Sequence, residues 1–149
     1  MSNNDTPPPQ TFDPSNAQTY DALCHCGTVQ YAVTLSPPLG EQKVVECNCS
    51  ICSRNAYLLV YPLRKHVVMK SGEEALKTYS FGPKRNLHRF CGRCGSAVLF
   101  DPRMKERGEE PDLMAVNVRM FRNVKLNELE IVQFDGWNKM PFTDSDYLQ

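Results

Sequence analysis

The chain has 149 residues, 41% of them hydrophobic, with 17 basic and 17 acidic side chains and a formal net charge of zero. That length suits a single domain, and the balanced charge excludes the basic footprint of a nucleic-acid binder. No apolar run approaches the roughly 18 residues needed to span a membrane, so neither nucleic acid nor membrane is an expected partner.

Residues 1–18 are expected to be a disordered Pro-rich tail. Pro7, Pro8, Pro9 and Pro14 stand among Ser, Asn, Asp, Thr and Gln, with little to bury. This stretch has no basic n-region and no apolar h-region, so it is not a secretory signal, and a cytoplasmic location is expected. The packed domain is expected over 19–140, with a second tail at 141–149. Within it, Val29, Tyr31, Val33 and Leu35 alternate with polar or small residues, the period-2 signature of a half-buried strand over 28–35. Pro37, Pro38 and Gly40 end it in a turn. The apolar run 57–61 predicts a central strand stopped by Pro62. Short strands are also expected at 67–69, 76–81, 87–90, 97–100, 113–118 and 131–134. The locally basic stretch 84–89 is expected to be a strand with a wet face, and 104–112 an exposed loop. Helix is limited to single turns at 50–55 and 123–129. Many short strands at close spacing argue for an all-β domain whose loops carry the chemistry.

That chemistry lies in seven cysteines. They form three clusters: Cys24 with Cys26; Cys47, Cys49 and Cys52; Cys91 with Cys94. In a reducing compartment such clusters favour metal over disulfides, and the odd count argues against a fully paired disulfide framework. Cys91-Gly92-Arg93-Cys94-Gly95 is a zinc-knuckle turn between two strand-like segments, and Cys24-His25-Cys26-Gly27 offers the complementary pair. Cys24, Cys26, Cys91 and Cys94 then make a closed four-thiolate zinc site of the structural type, which backbone N–H donors should surround. A CxxC alone also fits a redox dithiol, but no helix or βαβ setting accompanies it. His25 is expected to be a surface or hydrogen-bonding residue rather than a ligand.

Cys47, Cys49 and Cys52 remain for a second zinc. Cys49 and Cys52 suit one helical turn, and Cys47 closes from the extended segment before it. Three protein ligands leave one position open, and an open zinc can act on a substrate. A coordinated thiol is deprotonated at neutral pH, so a small-molecule thiol suits that position. Two other readings stand beside this one: a fourth ligand from His25, His66, His88 or an acidic residue, or three cysteines simply packed in the core.

The clusters in this order resemble the glutathione-dependent formaldehyde-activating enzyme family, which includes centromere-protein-V relatives. The matching pieces are Cys24-His25-Cys26-Gly27, Cys47-Asn48-Cys49-Ser50-Ile51-Cys52 and Phe90-Cys91-Gly92-Arg93-Cys94-Gly95-Ser96. Val116-Asn117-Val118-Arg119 and Asp135-Gly136-Trp137 are similar to the tail of fungal-type members. The resemblance implies an Mss4-like (β-tent) all-β fold with short strands, zinc-bearing loops and little helix. It implies two Zn²⁺ per chain: a structural ion on Cys24, Cys26, Cys91 and Cys94, and a catalytic ion on Cys47, Cys49 and Cys52. The activity it implies is carbon–sulfur lyase chemistry of the S-(hydroxymethyl)glutathione synthase type, joining glutathione to formaldehyde or a related carbonyl, in a monomer or small homo-oligomer. The same scaffold acting on another thiol adduct, or serving as a non-catalytic zinc module, is the alternative. Arg54 and Arg119 are candidate anchors for the glutathione carboxylates. Asn48, Ser50, Asn55 and Asn117 complete the candidate substrate contacts. Ala56 stands where family members often carry glycine, which either narrows the pocket or alters a turn.

Overall fold

In the computed structural model of the chain, residues 11–139 are described. Ten strands succeed one another among them: β1 (Gln18–Leu23), β2 (Gln30–Leu35), β3 (Val44–Cys47), β4 (Leu59–Val60), β5 (Val67–Ser71), β6 (Leu76–Tyr79), β7 (Leu87–Cys91), β8 (Ala97–Asp101), β9 (Ala115–Asn117) and β10 (Ile131–Phe134). The only α-helices among the described residues are two short ones, α1 (Ser50–Arg54) and α2 (Gly136–Lys139). None is long and apolar enough to cross a membrane. The all-β architecture with little helix is the one expected.

Alternation builds the first sheet. Val29, Tyr31 and Val33 are fully buried and Leu35 nearly so, because one face of β2 lies on the core. β2 is the middle strand, with β1 and β5 antiparallel on either side. The second sheet has the order β10-β3-β4-β9-β8-β7-β6. Its pairings are antiparallel except one: β10 returns to lie parallel to β3, so that Phe134 faces Cys47. One apolar cluster takes Tyr31, Val33 and Leu35 from the first sheet and Val44, Val60, Val98 and Val116 from the second. A smaller cluster gathers Cys47, Cys52, Tyr57, Leu59 and Ala115. The two share the core between scaffold and site.

Several elements differ from expectation. The run 57–61 is central and buried, but only Leu59–Val60 is strand. The Tyr57 amide is spent on Cys52 O at 3.1 Å, closing the turn after α1, and Pro62 has no N–H to give. Strand β1 was not anticipated because its side chains are mostly exposed, with Ala22 its one buried residue. Strand β3 was hidden by its VVEC sequence, which has no alternation. Part of the expected N-terminal tail lies against the body. The Phe12 ring sits 4.0 Å from the His66 ring. The Asp13 amide donates to Ser36 Oγ at 2.9 Å, and that hydroxyl donates back to Asp13 O at 3.0 Å. The remainder of that tail, 1–10, and the expected tail at 141–149 lie outside the described residues.

Candidate metal centres

The loop after β1 carries Cys24 and Cys26, and the β7–β8 hairpin carries Cys91 and Cys94. All four sulfurs lie within 4.8 Å of one another. Cys24 Sγ is 3.6 Å from Cys26 Sγ, and Cys26 Sγ is 3.8 Å from Cys91 Sγ. A tetrahedron with Zn–S bonds of about 2.3 Å has edges of about 3.8 Å, so the sulfur cage has the size of a zinc ion. The surroundings suit thiolates. The Val29 amide donates to Cys24 Sγ at 3.3 Å and the Arg93 amide to Cys91 Sγ at 3.4 Å. The Thr28 and Ser96 hydroxyls stand 3.2 Å from Cys26 Sγ and Cys94 Sγ. Ser96 is the main reason the Cys94 thiol is pulled down to about 5. Burial, conversely, pushes Cys24 up to about 11, so an ion there must displace a proton from Cys24. Gly95 closes the knuckle at φ +80°, a conformation that a Cβ would strain.

The second group is Cys47, Cys49 and Cys52, again within 4.8 Å. Cys47 ends β3, Cys49 is the extended N-cap of α1 (φ −63°, ψ 166°), and Cys52 lies inside that helix. The strand-to-helix bend is what brings a Cys-x-Cys pair onto one centre. The Cys49 amide donates to Cys47 Sγ at 3.4 Å. Thiol donors on Cys47 and Cys52 hold Cys49 as thiolate, far below the usual thiol range. Those two thiols are pushed up in turn, Cys47 chiefly by Cys49 and Cys52 chiefly by Cys47. Among the described residues no His, Asp or Glu joins the three sulfurs. The donor set fits a soft or borderline ion such as Zn²⁺.

Two walls enclose this triad. One is aromatic: Tyr57, Tyr61, Phe100 and Phe134 pack around Cys47 and Cys52. Tyr57 Oη lies 3.0 Å from Nδ1 of His88. His88 is only 3% exposed, and its Nε2 has no hydrogen-bond partner. Burial pushes its pKa down to about 4, so the ring is neutral at ordinary pH. The other wall is the C-terminal segment. Gly136 sits so close that a Cβ there would collide with Cys47 Sγ and come within 3.1 Å of Cys49 Cβ. Asn48, between two of the cysteines, binds this segment three times. Its amide donates to Phe134 O at 3.1 Å. Its Nδ2 donates to Asp135 Oδ1 at 2.9 Å, and its Oδ1 accepts the Trp137 amide at 2.9 Å. The Asp135 carboxyl also accepts from Asn138 Nδ2 at 2.7 Å, and these amides hold its pKa below the usual carboxylate range, Asn138 contributing most.

Residues 19–132 match the family of the glutathione-dependent formaldehyde-activating enzyme. The chain belongs to that family. A crystal structure of a Rhodobacter sphaeroides protein has the same fold, with a TM-score of 0.63 at 25% identity, covering 75% of this chain and 99% of that one. The glutathione-dependent formaldehyde-activating match takes in all seven cysteines and stops short of the Phe134–Trp137 wall.

Within this family domain, the remaining candidates fall into two groups. Arg54 and Arg119 are both exposed. Arg54 Nη1 donates to Ser50 O at 3.0 Å and Arg119 Nε to Ala56 O at 2.7 Å. The asparagines and Ser50 are mostly committed to structure. Asn117 is 1% exposed. Its Oδ1 accepts from the Leu58 and Arg119 amides, and its Nδ2 donates to Ala97 O. Buried and bonded three times to backbone, this side chain is placed as a structural group rather than as the expected substrate contact. Asn48 is engaged with the C-terminal wall, Ser50 is buried at the start of α1, and Asn55 is its C-cap. Ala56 has φ +50°, a left-handed conformation that favours glycine. The sequence offers His88 only as a possible fourth ligand, in a stretch whose basic neighbours suggest a wet face, and Gly136 only within the family-like Asp135-Gly136-Trp137. Neither the His88–Tyr57 contact nor the close approach of Gly136 to Cys47 is legible from it.

Proposed function

We propose that the chain is a zinc-dependent carbon–sulfur lyase of the S-(hydroxymethyl)glutathione synthase type. It acts on glutathione and formaldehyde or a closely related carbonyl, in the cytoplasm. One observation carries the reading: Cys47, Cys49 and Cys52 converge with no fourth protein donor among the described residues. The other centre, with four sulfurs, is complete. Closed tetrahedral sites are structural and three-ligand sites leave room for chemistry.

Cys47, Cys49 and Cys52 would hold the ion at the second centre, and Cys24, Cys26, Cys91 and Cys94 the ion at the first. Bound at the open centre, zinc would supply a thiol held as thiolate at neutral pH. Arg54 and Arg119, both exposed, suit the two carboxylates of glutathione. Tyr57, Tyr61 and Phe134 keep water from the sulfur side and lower the local dielectric, which strengthens every charge interaction there. The substrate sulfur adds to the carbonyl carbon; the C–S bond forms, the C=O π pair moves onto oxygen, and that oxygen takes a proton from water.

Zinc per chain, measured on protein purified without chelator, tests this. Two ions in the wild type and one in Cys49→Ser are expected, with glutathione-dependent formaldehyde consumption abolished in the variant. A wild type that holds one zinc even after added metal, or a Cys49→Ser variant with undiminished turnover, overturns it.

A further inference from the structure

The bend that makes the three-sulfur centre falls at Asn48 and Cys49. Inside the loop the Cys49 amide donates to Cys47 Sγ at 3.4 Å, and the rest of its anchoring comes from outside. A Cys-x-Cys pair in a continuing strand would point its sulfurs the same way but spread them along the chain. Here the chain turns from β3 into α1 across two residues, Asn48 and Cys49. All three polar groups of Asn48 that can hold that turn are used on one other segment, Phe134 to Trp137, 86 to 89 positions away. The Asp135 carboxylate that receives Asn48 Nδ2 is itself pinned by Asn138. Gly136, between the two anchor points, is in van der Waals contact range of the ligands themselves and has no room for a side chain.

We propose that Asn48, Asp135 and Gly136 form a clasp that positions the sulfurs of Cys47 and Cys49, so that the C-terminal segment, beyond the family-matched region, sets the metal affinity of the three-sulfur centre. The proposal rests on the reading that these cysteines hold a metal. Asn48 thereby becomes a positioning residue rather than the substrate contact expected from sequence. Trp137 enters through its backbone amide, so its indole is a bystander to the clasp. It is also the chain's only tryptophan and is 43% exposed, which makes it a reporter of the clasp's state.

The test uses the full chain, with zinc affinity measured by chelator competition and cobalt(II) charge-transfer spectra read at each centre. The four-sulfur centre is the internal control. Asn48→Ala and Gly136→Ala are each expected to weaken the second metal by about 10- to 100-fold, the range for residues that orient metal ligands, while the first metal is retained. Asn48→Asp places two carboxylates together and should weaken the second metal too; adding Asp135→Asn to it restores a donor–acceptor pair and should restore binding. Trp137→Phe keeps the amide and should bind both metals normally. In the wild type, Trp137 emission should shift on the second equivalent of zinc and not on the first. Should Asn48→Ala fail to fold, the Asn48→Asp single and double variants carry the comparison. Unchanged second-site affinity in Asn48→Ala and Gly136→Ala, with two metals in the wild type, overturns the clasp alone. A wild type with one metal overturns the open-centre reading, and the clasp with it.

Discussion

At the scale of single residues, backbone conformation explains a feature that composition could not. Ala56 occupies a left-handed turn at φ +50°, where an L-residue with a Cβ is strained by roughly 1 kcal/mol relative to glycine. Ala56→Gly is therefore expected to raise stability by up to about 1 kcal/mol and to leave both metal centres unchanged. Denaturant midpoints with metal counts check it. A gain in turnover on bulkier carbonyls, at unchanged stability, would instead mean that the methyl shapes a pocket. The sequence leaves the turn as one of two readings of Ala56, because Asn55 beside it is only a weak turn signal and alanine itself carries none. Asn117 misled for a related reason. A polar residue in a motif looks like a ligand contact, yet its amide here satisfies two backbone N–H groups and one carbonyl in the core.

At the scale of elements, β7 shows where charge patterning fails. Lys84, Arg85 and Arg89 suggest a solvated strand, but His88 turns inward and stacks among Phe81, Phe100 and Tyr57. Its pKa, normally near 6.5, is lowered to about 4 by burial. The unfolded chain therefore binds a proton that the folded chain refuses. Stability from this group is complete above the unfolded value and falls as pH drops through the window from 6.5 towards 4. Between about pH 7.5 and about pH 5 the loss is about 2 kcal/mol. In His88→Phe that component disappears, so the pH dependence of the denaturant midpoint should flatten by this amount. An unaltered slope would mean that the ring protonates in the folded state. The cysteine loops were legible for the opposite reason. Metal ligation restricts spacing so tightly that both sulfur groups could be partitioned before any strand was placed. Strands β1 and β3, with one face open or no alternation, left no such mark.

At the scale of the whole molecule, the two centres stand in different places. The four-sulfur centre brings the β1–β2 turn of the three-stranded sheet to the β7–β8 hairpin of the seven-stranded one. A zinc held there would crosslink the two sheets, and structural zinc sites contribute folding energy outright. Cys94→Ser is expected to cost about 5 kcal/mol or more, a sizeable part of the roughly 10–16 kcal/mol with which such ions bind. Cys49→Ser should leave the melting temperature within a few degrees of wild type. Thermal melts beside metal counts decide it; equal losses in the two variants would mean that both centres hold the fold. The chain's fold class was legible from short strands and turn residues. The pairing of β10 with β3 was not, since a parallel pair between distant strands leaves no local trace.

That parallel pair has a consequence for biosynthesis. The partners of Asn48 in the C-terminal segment lie 87 residues further along the chain. At about 5–20 residues per second, translation reaches them roughly 4–17 s after the cysteine loop is made. Throughout that interval the nascent chain carries three closely spaced thiols without the strand and glycine that complete their surroundings. They are then open to oxidation or to capture of the wrong metal. In order of synthesis, the residues of the four-sulfur centre are complete once the β7–β8 hairpin is made, and the surroundings of the three-sulfur centre only with the C-terminal segment.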